Sequence, residues 1–323
     1  MKNAPAVSWR DAWRRQPGPD NVKESFVLFM KGICMGTADI IPGVSGGTIA
    51  LITGIYHHLL EAIHSFRMES VRHLLQLNVK QAAATVHIRF LTFLLLGIGV
   101  ALIALSHVMH FLLRTCPVPT WTFFLGLITA SVFTIGKDIR NWRGSGGMAF
   151  ITGIIMGYQL VGLIPVSTPE TAWFVFLSGM LAICAMILPG ISGAFILLIL
   201  GKYEFITGIL KNPLADTHLV TILIFITGCV VGILLFSRLL SYLLHHYGNT
   251  TLALLTGLMA GSMRKIWPWK QTLETKIIHG EVFILREKNV LPTEMDSMFF
   301  VACGMAMVGL LLILGLEKAA RKP

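Results

Sequence analysis

The chain has 323 residues, of which 54% are hydrophobic and 13% charged. Soluble domains carry roughly 25% charged residues, so this composition excludes a water-soluble core. The net charge of +10 gathers before the first apolar stretch and after the last, a placement that points away from nucleic acid and toward membrane flanks.

Residues 1–24 hold Lys2, Arg10, Arg14, Arg15 and Lys23 and lack the apolar run of a signal peptide. Trp9 and Trp13 stand one helical turn apart beside the arginines. That pattern fits a short helix at the headgroups, ended by Pro17-Gly18-Pro19, with a disordered basic tail as the alternative. Residues 25–60 then form an apolar segment interrupted by Pro42-Gly43 and Gly46-Gly47. Proline removes a backbone donor and glycine admits tight turns. The break leaves two arms of about 15 residues, each about 22 Å long at 1.5 Å per residue. A hydrocarbon core is about 30 Å thick, so a re-entrant hairpin fits better than two crossings. Three membrane spans follow, at about 90–113, 121–136 and 148–166. A second interrupted segment at 173–203 is centred on Pro189-Gly190. Three more spans lie at about 219–244, 251–266 and 297–316, the last two separated by a mixed-charge loop, 267–296. Five scattered cysteines show neither disulfide nor metal spacing, so no metal and no cofactor is expected.

The second interrupted segment repeats the first. A shift of 147 positions aligns Gly32 with Gly179, Pro42-Gly43 with Pro189-Gly190, Ser45-Gly46 with Ser192-Gly193, Gly54 with Gly201 and Tyr56 with Tyr203. Further along, a shift of 131 pairs Gly97 with Gly228 and Gly126 with Gly257, and one near 151 pairs Gly153 with Gly304. The chain therefore reads as an all-α integral membrane protein of two repeats, 25–166 and 173–317, each a re-entrant hairpin followed by three spans. An odd number of crossings per repeat inverts the second relative to the first. With six full spans both termini are cytoplasmic. Cytoplasmic segments then hold 15 Lys and Arg and external ones seven, the sign expected for a bacterial inner membrane. The pairs Gly153/Gly157, Gly228/Gly232 and Gly257/Gly261 form small-residue packing seams, within one chain or in a homodimer.

Inverted repeats with broken helices place a site near the midplane. At each break the chain reads Pro-Gly-aliphatic-Ser-Gly. A helix starting there aims unpaired N–H groups and its positive dipole end at the break, a receptor for an anion such as phosphate. Candidate ligands are Gly43, Ser45, Gly46, Gly47 and Thr48 at the first tip, and Gly190, Ser192 and Gly193 at the second. The bland reading is that glycine and serine simply pack helices closely. Asp39, a carboxylate deep in an apolar stretch, is costly there. It can carry a coupling proton, cap the break, or pair with Lys31 or Arg264. Arg264 offers a planar fork for phosphate, or else snorkels beside Trp267 and Trp269. Lys31 and Lys202 stand where they can attract an anion to the two openings. His107 and His110 share a helix face and read as packing residues.

The run Met35-Gly36-Thr37-Ala38-Asp39-Ile40-Ile41-Pro42-Gly43-Val44-Ser45-Gly46-Gly47-Thr48 resembles the signature of the domain-of-unknown-function 368 proteins, regarded as polyprenyl-phosphate transporters. Pro189-Gly190-Ile191-Ser192-Gly193 and Gly261-Ser262-Met263-Arg264-Lys265-Ile266-Trp267-Pro268-Trp269 resemble their second and third signatures. The resemblance implies a flippase that recycles undecaprenyl phosphate from the outer to the inner leaflet for peptidoglycan and envelope polysaccharide synthesis. Its partners would be that lipid, the surrounding membrane lipids and a coupling ion, proton or sodium. Two rival readings are a lipid-diphosphate phosphatase and an inorganic-anion channel or exchanger. Phosphatases with similar hairpins carry an arginine after the Pro-Gly-x-Ser tip, where this chain has Gly46 and Gly193.

Overall fold

The computed structural model describes residues 13, 16–40, 45–66, 73, 76, 78–166, 168–211, 218–278, 281–292 and 295–320. Trp9 and the arginines of the N-terminal segment lie outside them, as do Pro42 and Gly43 at the first break and the side chain of His110. The first interrupted segment is built as α1 (Val22–Ile40), α2 (Gly46–Ile52) and α3 (Tyr56–His64). Asn21 and Glu24 cap the start of α1: the Asn21 carboxamide accepts from the Glu24 N–H at 2.8 Å, and Glu24 accepts from the Asp20 N–H at 2.8 Å. A short α4 (Val79–Thr85) leads to α5 (Ile88–Thr115), α6 (Pro117–Asp138) and α7 (Ser145–Leu160). The second interrupted segment gives α8 (Ala172–Ile187), α9 (Gly193–Ile199) and α10 (Tyr203–Lys211), followed by α11 (His218–His246) and α12 (Gly248–Ser262). The strands β1 (Lys270–Ile278) and β2 (Glu281–Asn289) pair antiparallel, and α13 (Ser297–Ala320) follows.

Among the described residues, α5, α6, α11 and α13 are long and apolar enough to cross a bilayer, and α9 with α10 makes a fifth apolar unit bent by 113°. The chain is a multi-pass membrane protein. Its membrane part is helical as expected, whereas the mixed-charge loop carries a β-hairpin that the sequence reading left unstructured. The arms after each break are also shorter than expected. Gly54 and Gly201 adopt φ of 74° and 62°, which ends α2 and α9 after 7 residues each. At 1.5 Å per residue such an arm is only about 10 Å long.

Glycine sets the helix pairing. An added Cβ at Gly32 would meet the Leu94 carbonyl oxygen at 2.4 Å, and one at Gly97 the Phe29 carbonyl oxygen at 2.2 Å, so α1 and α5 lie backbone to backbone. The partner pair α8 and α11 repeats this, with Gly179 against the Phe225 oxygen at 2.5 Å and Gly228 against the Phe176 oxygen at 2.1 Å. The other pairs exchange between halves: α7 packs on α12, and α6 on α13. Gly153 faces the Leu254 oxygen and Leu258 nitrogen, while Gly309 faces the Phe123 oxygen and Leu127 nitrogen. Leu254 and Leu258 stand 131 positions after Phe123 and Leu127, so Gly309 is the packing counterpart of Gly153. Gly304, which the sequence alignment chose, has no neighbour within 4 Å of a built Cβ. All of these seams lie within one chain.

Candidate functional site

The chain just after the first break packs against the second break. The Ser45 hydroxyl lies 3.0 Å from the Met186 carbonyl oxygen and 3.2 Å from that of Leu188, to which it donates, and it accepts from the Gly47 N–H at 3.1 Å. The Tyr56 hydroxyl donates to the Ile187 oxygen at 3.1 Å. In return the Gly190 N–H donates to the Thr48 hydroxyl at 2.8 Å. Three consecutive carbonyls at the end of α8, the acceptors a helix leaves unpaired, are thus capped by side chains of the other half. Ser45 and Thr48 are 0% and 1% exposed. An unmade bond here would leave a buried carbonyl without a partner.

Asp39 completes the first tip. Its Oδ1 accepts from the Gly46 N–H at 2.7 Å, so the carboxylate occupies the start of α2 where the sequence reading puts an anion. Among the described residues Asp39 forms no ion pair with Lys31 or Arg264, and capping of the break is the role its geometry performs. The glycines at the tips serve packing as well. A Cβ on Gly47 would meet the Ile187 oxygen at 2.4 Å, one on Gly193 the Ala182 oxygen at 2.6 Å, and one on Gly190 the Ser262 hydroxyl at 2.7 Å. Gly190 also adopts φ 86°, a turn that disfavours side chains. Ser192 is buried at the start of α9 and makes no side-chain capping bond there. Gly43 lies outside the described residues.

The outlying cations separate into different settings. Lys31 donates to the Thr53 carbonyl at 2.8 Å and lines a cavity of about 620 Å³ with Lys23, Ile55, His58, His87 and Phe90. Lys202 is not at an opening. It is 1% exposed, donates to the Thr168 oxygen at 2.7 Å, and sits 5.7 and 5.5 Å from the rings of Phe174 and Phe205. Arg264 does not reach the tips. Its guanidinium stacks on the Tyr158 ring at 4.2 Å and donates to the Tyr158 oxygen at 3.1 Å, in a polar cleft beneath the β-hairpin that also holds Lys265, Lys270 and Glu287. A third cavity, about 430 Å³ and lined almost wholly by apolar side chains of α1, α2, α5, α6 and α13, extends to Thr48.

Three participants escaped the residue-by-residue reading. Tyr56 was visible only as a repeat mate of Tyr203, and nothing in its spacing announces a cap on α8. Lys270 and Glu287 lie in a segment whose mixed charges hide a strand register. The hairpin pairs Lys270 with Asn289 and Thr272 with Glu287, which brings both charges to the same end.

Residues 35–283 match the model of the family described as "VCA0040-like: Undecaprenyl phosphate translocase-like". A polyprenyl-phosphate transporter of Vibrio cholerae serotype O1 (strain ATCC 39315 / El Tor Inaba N16961) is 43% identical over 305 residues, covering 91% of this chain and 96% of that one. A polyprenyl-phosphate transporter of Staphylococcus aureus (strain NCTC 8325 / PS 47) is 30% identical over 260 residues, covering 75% and 86%. No solved structure matches the chain.

Proposed function

The chain belongs to the undecaprenyl phosphate translocase-like family, and from that premise we propose that it is a flippase returning undecaprenyl phosphate from the outer to the inner leaflet of a bacterial inner membrane. The lipid so recycled serves peptidoglycan and envelope polysaccharide synthesis. The observation that carries this reading is the interlock of the two tips, in which Ser45, Thr48 and Tyr56 of one half bond the backbone of the other. Such a contact is a barrier. In this reading it separates the cavity holding Lys31 from the cleft holding Arg264, and the lipid phosphate passes when the tips part. Phosphate then takes up groups at the two tips: the N–H groups of Gly43, Gly46, Gly47, Gly190 and Gly193 and the hydroxyls of Ser45, Thr48 and Ser192, of which the Ser45 and Thr48 hydroxyls and the Gly190 N–H now serve the interlock. The apolar cavity reaching Thr48 is a fitting path for the isoprenoid chain, since a hydrocarbon there stays out of water.

The surrounding architecture in this reading is a pair of inverted repeats, each a re-entrant hairpin plus three spans, with both termini cytoplasmic. The 7-residue arms α2 and α9 support re-entrance because neither can finish a crossing. Asp39 releases the Gly46 N–H to the phosphate and exchanges a coupling proton, or yields to sodium, as it does so. The test is reconstitution into liposomes containing undecaprenyl phosphate, with leaflet-resolved detection of the lipid. Transfer between leaflets is expected, with neither phosphate release from undecaprenyl diphosphate nor ion conductance in lipid-free assays. Phosphate release would make the chain a phosphatase, and conductance without lipid transfer would make it a channel.

A further inference from the structure

The cleft under the β-hairpin is a second, separate electrostatic feature. It measures about 190 Å³ and is lined by Arg264, Lys265, Lys270, Glu287 and Asn289, with Phe195 and Leu198 of α9 on its inner wall. The volume accommodates several water molecules at roughly 30 Å³ each, and hence a phosphate group. One carboxylate oxygen serves two ammonium groups: Glu287 Oε2 lies 3.2 Å from Lys270 Nζ and 3.7 Å from Lys265 Nζ. The three side chains are only 12%, 26% and 21% exposed for Lys270, Lys265 and Glu287.

Each cation is also held in place by an aromatic ring from a different helix. Lys270 sits 4.7 Å from the Trp121 ring of α6, Lys265 is 5.2 Å from Phe195 of α9, and Arg264 stacks on Tyr158 of α7. Asn289 fixes the backbone beneath, donating to the Arg264 carbonyl at 2.8 Å. Three cations against one carboxylate leave a net charge of +2 in a half-shielded cleft. Shielding strengthens charge interactions and makes excess charge costly. A phosphate monoester carries about −1.5 to −2 charge at neutral pH, which complements that excess.

We propose that this cleft is a phosphate-group site in which Glu287 is a resident counter-anion, displaced when phosphate pairs with Lys265, Lys270 and Arg264. The proposal rests on the transport reading above for its biological ligand, the lipid headgroup, although free phosphate presents the same chemistry. The cleft is then a station for the headgroup on the hairpin side, one step before the tips. Because Lys265 belongs to the chain segment that ends α12, and Phe195 to α9, arrival of the anion bears directly on elements next to the second tip.

The experiment uses the full chain in lipid nanodiscs and measures binding by titration calorimetry with two ligands, inorganic phosphate and undecaprenyl phosphate. The variants are the double substitution Lys265→Gln/Lys270→Gln and the single Glu287→Gln. Weakening of both ligands by tenfold or more in the double variant is expected. Tightening by severalfold is expected in Glu287→Gln, which removes the competitor. If the cluster merely fastens the hairpin, Glu287→Gln would not tighten either ligand, and that result overturns the proposal even if the double variant folds poorly. Parent-like binding by the double variant overturns it too, while lipid binding by the parent leaves the transport reading intact. If the parent binds inorganic phosphate through the lysines but not the lipid, the cleft stands and the lipid reading falls. If it binds neither, both fall.

Discussion

At the scale of single residues, Asp39 caps the first tip and, in the proposed reading, also carries the coupling ion, two roles that substitution separates. Its Oδ1 holds the Gly46 N–H at 2.7 Å, a bond that an asparagine oxygen also makes. Asp39→Ala leaves a buried N–H unpaired, a loss of about 1–3 kcal/mol, and lowers thermal stability. Asp39→Asn keeps the cap and removes the charge. Moving one elementary charge across 100 mV is worth about 2.3 kcal/mol, so anion transport against the potential needs a compensating ion. Asp39→Asn is therefore expected to bind undecaprenyl phosphate but lose the response to an imposed proton gradient in liposomes. A parent-like response would place the coupling ion elsewhere. Lys270 gives a second residue-level expectation. Burial lowers its pKa from 10.5, Glu287 raises it in part, and Lys265 lowers it. Unfolding thus takes up a proton, and stability rises with pH between the folded pKa and 10.5. Phosphate binding runs the other way, lost as pH climbs through the folded pKa when the ammonium discharges. Asn289 and Trp121, which also border the site, do not titrate there. Glu287→Gln removes the raising partner, so the loss is expected at lower pH than in the parent, read from phosphate affinity across a pH series.

At the scale of elements, the fold was legible wherever residue type alone dictates backbone behaviour. Pro189-Gly190 and the Ser-Gly steps announce breaks because proline and glycine act locally, and the 147- and 131-position shifts carry through to matched contacts of Gly32 with Leu94 and Gly179 with Phe225. Register within a uniformly apolar helix was not legible. Along α13 both Gly304 and Gly309 offer a small surface, and only the facing helix decides between them. The β-hairpin was hidden for another reason, since strands at a water-exposed surface need no apolar alternation. The glycine choice is testable in stability. A Cβ at Gly309 would lie 2.2 Å from the Phe123 carbonyl oxygen, and backbone cannot yield cheaply, so Gly309→Ala should cost about 1–3 kcal/mol. Gly304→Ala meets nothing and gains up to about 1 kcal/mol of helix propensity. Thermal unfolding of the detergent-solubilised protein should show a lower midpoint for the first and an unchanged or higher one for the second. Equal losses in both would return the seam to Gly304.

At the scale of the whole molecule, the tips, the Lys31 cavity and the hairpin cleft form one path only if each interrupted segment enters and leaves on the same face. The lengths favour this. After α1, with 19 residues, the described helix before Gly54 is α2, with 7 residues. The 113° bend between α9 and α10 likewise fits a helix α10 that turns aside rather than continuing α9 through the bilayer. Charge agrees, since Lys23 and Arg89 then share the cytoplasmic side with the other basic flanks. Labelling with a membrane-impermeant thiol reagent from outside intact cells tests it. Cys34, Cys116, Cys184, Cys229 and Cys303 are all free and are first replaced. Lys23 and Glu61 are exposed, as are Glu170 and Tyr203, whereas the buried Lys202 would report nothing. Labelling is expected for Glu170→Cys and Tyr203→Cys, and for Lys23→Cys and Glu61→Cys only after the membrane is permeabilised. Were Glu61→Cys labelled in intact cells while Lys23→Cys is not, the first segment would cross the membrane. The two cavities could not then flank a shared barrier.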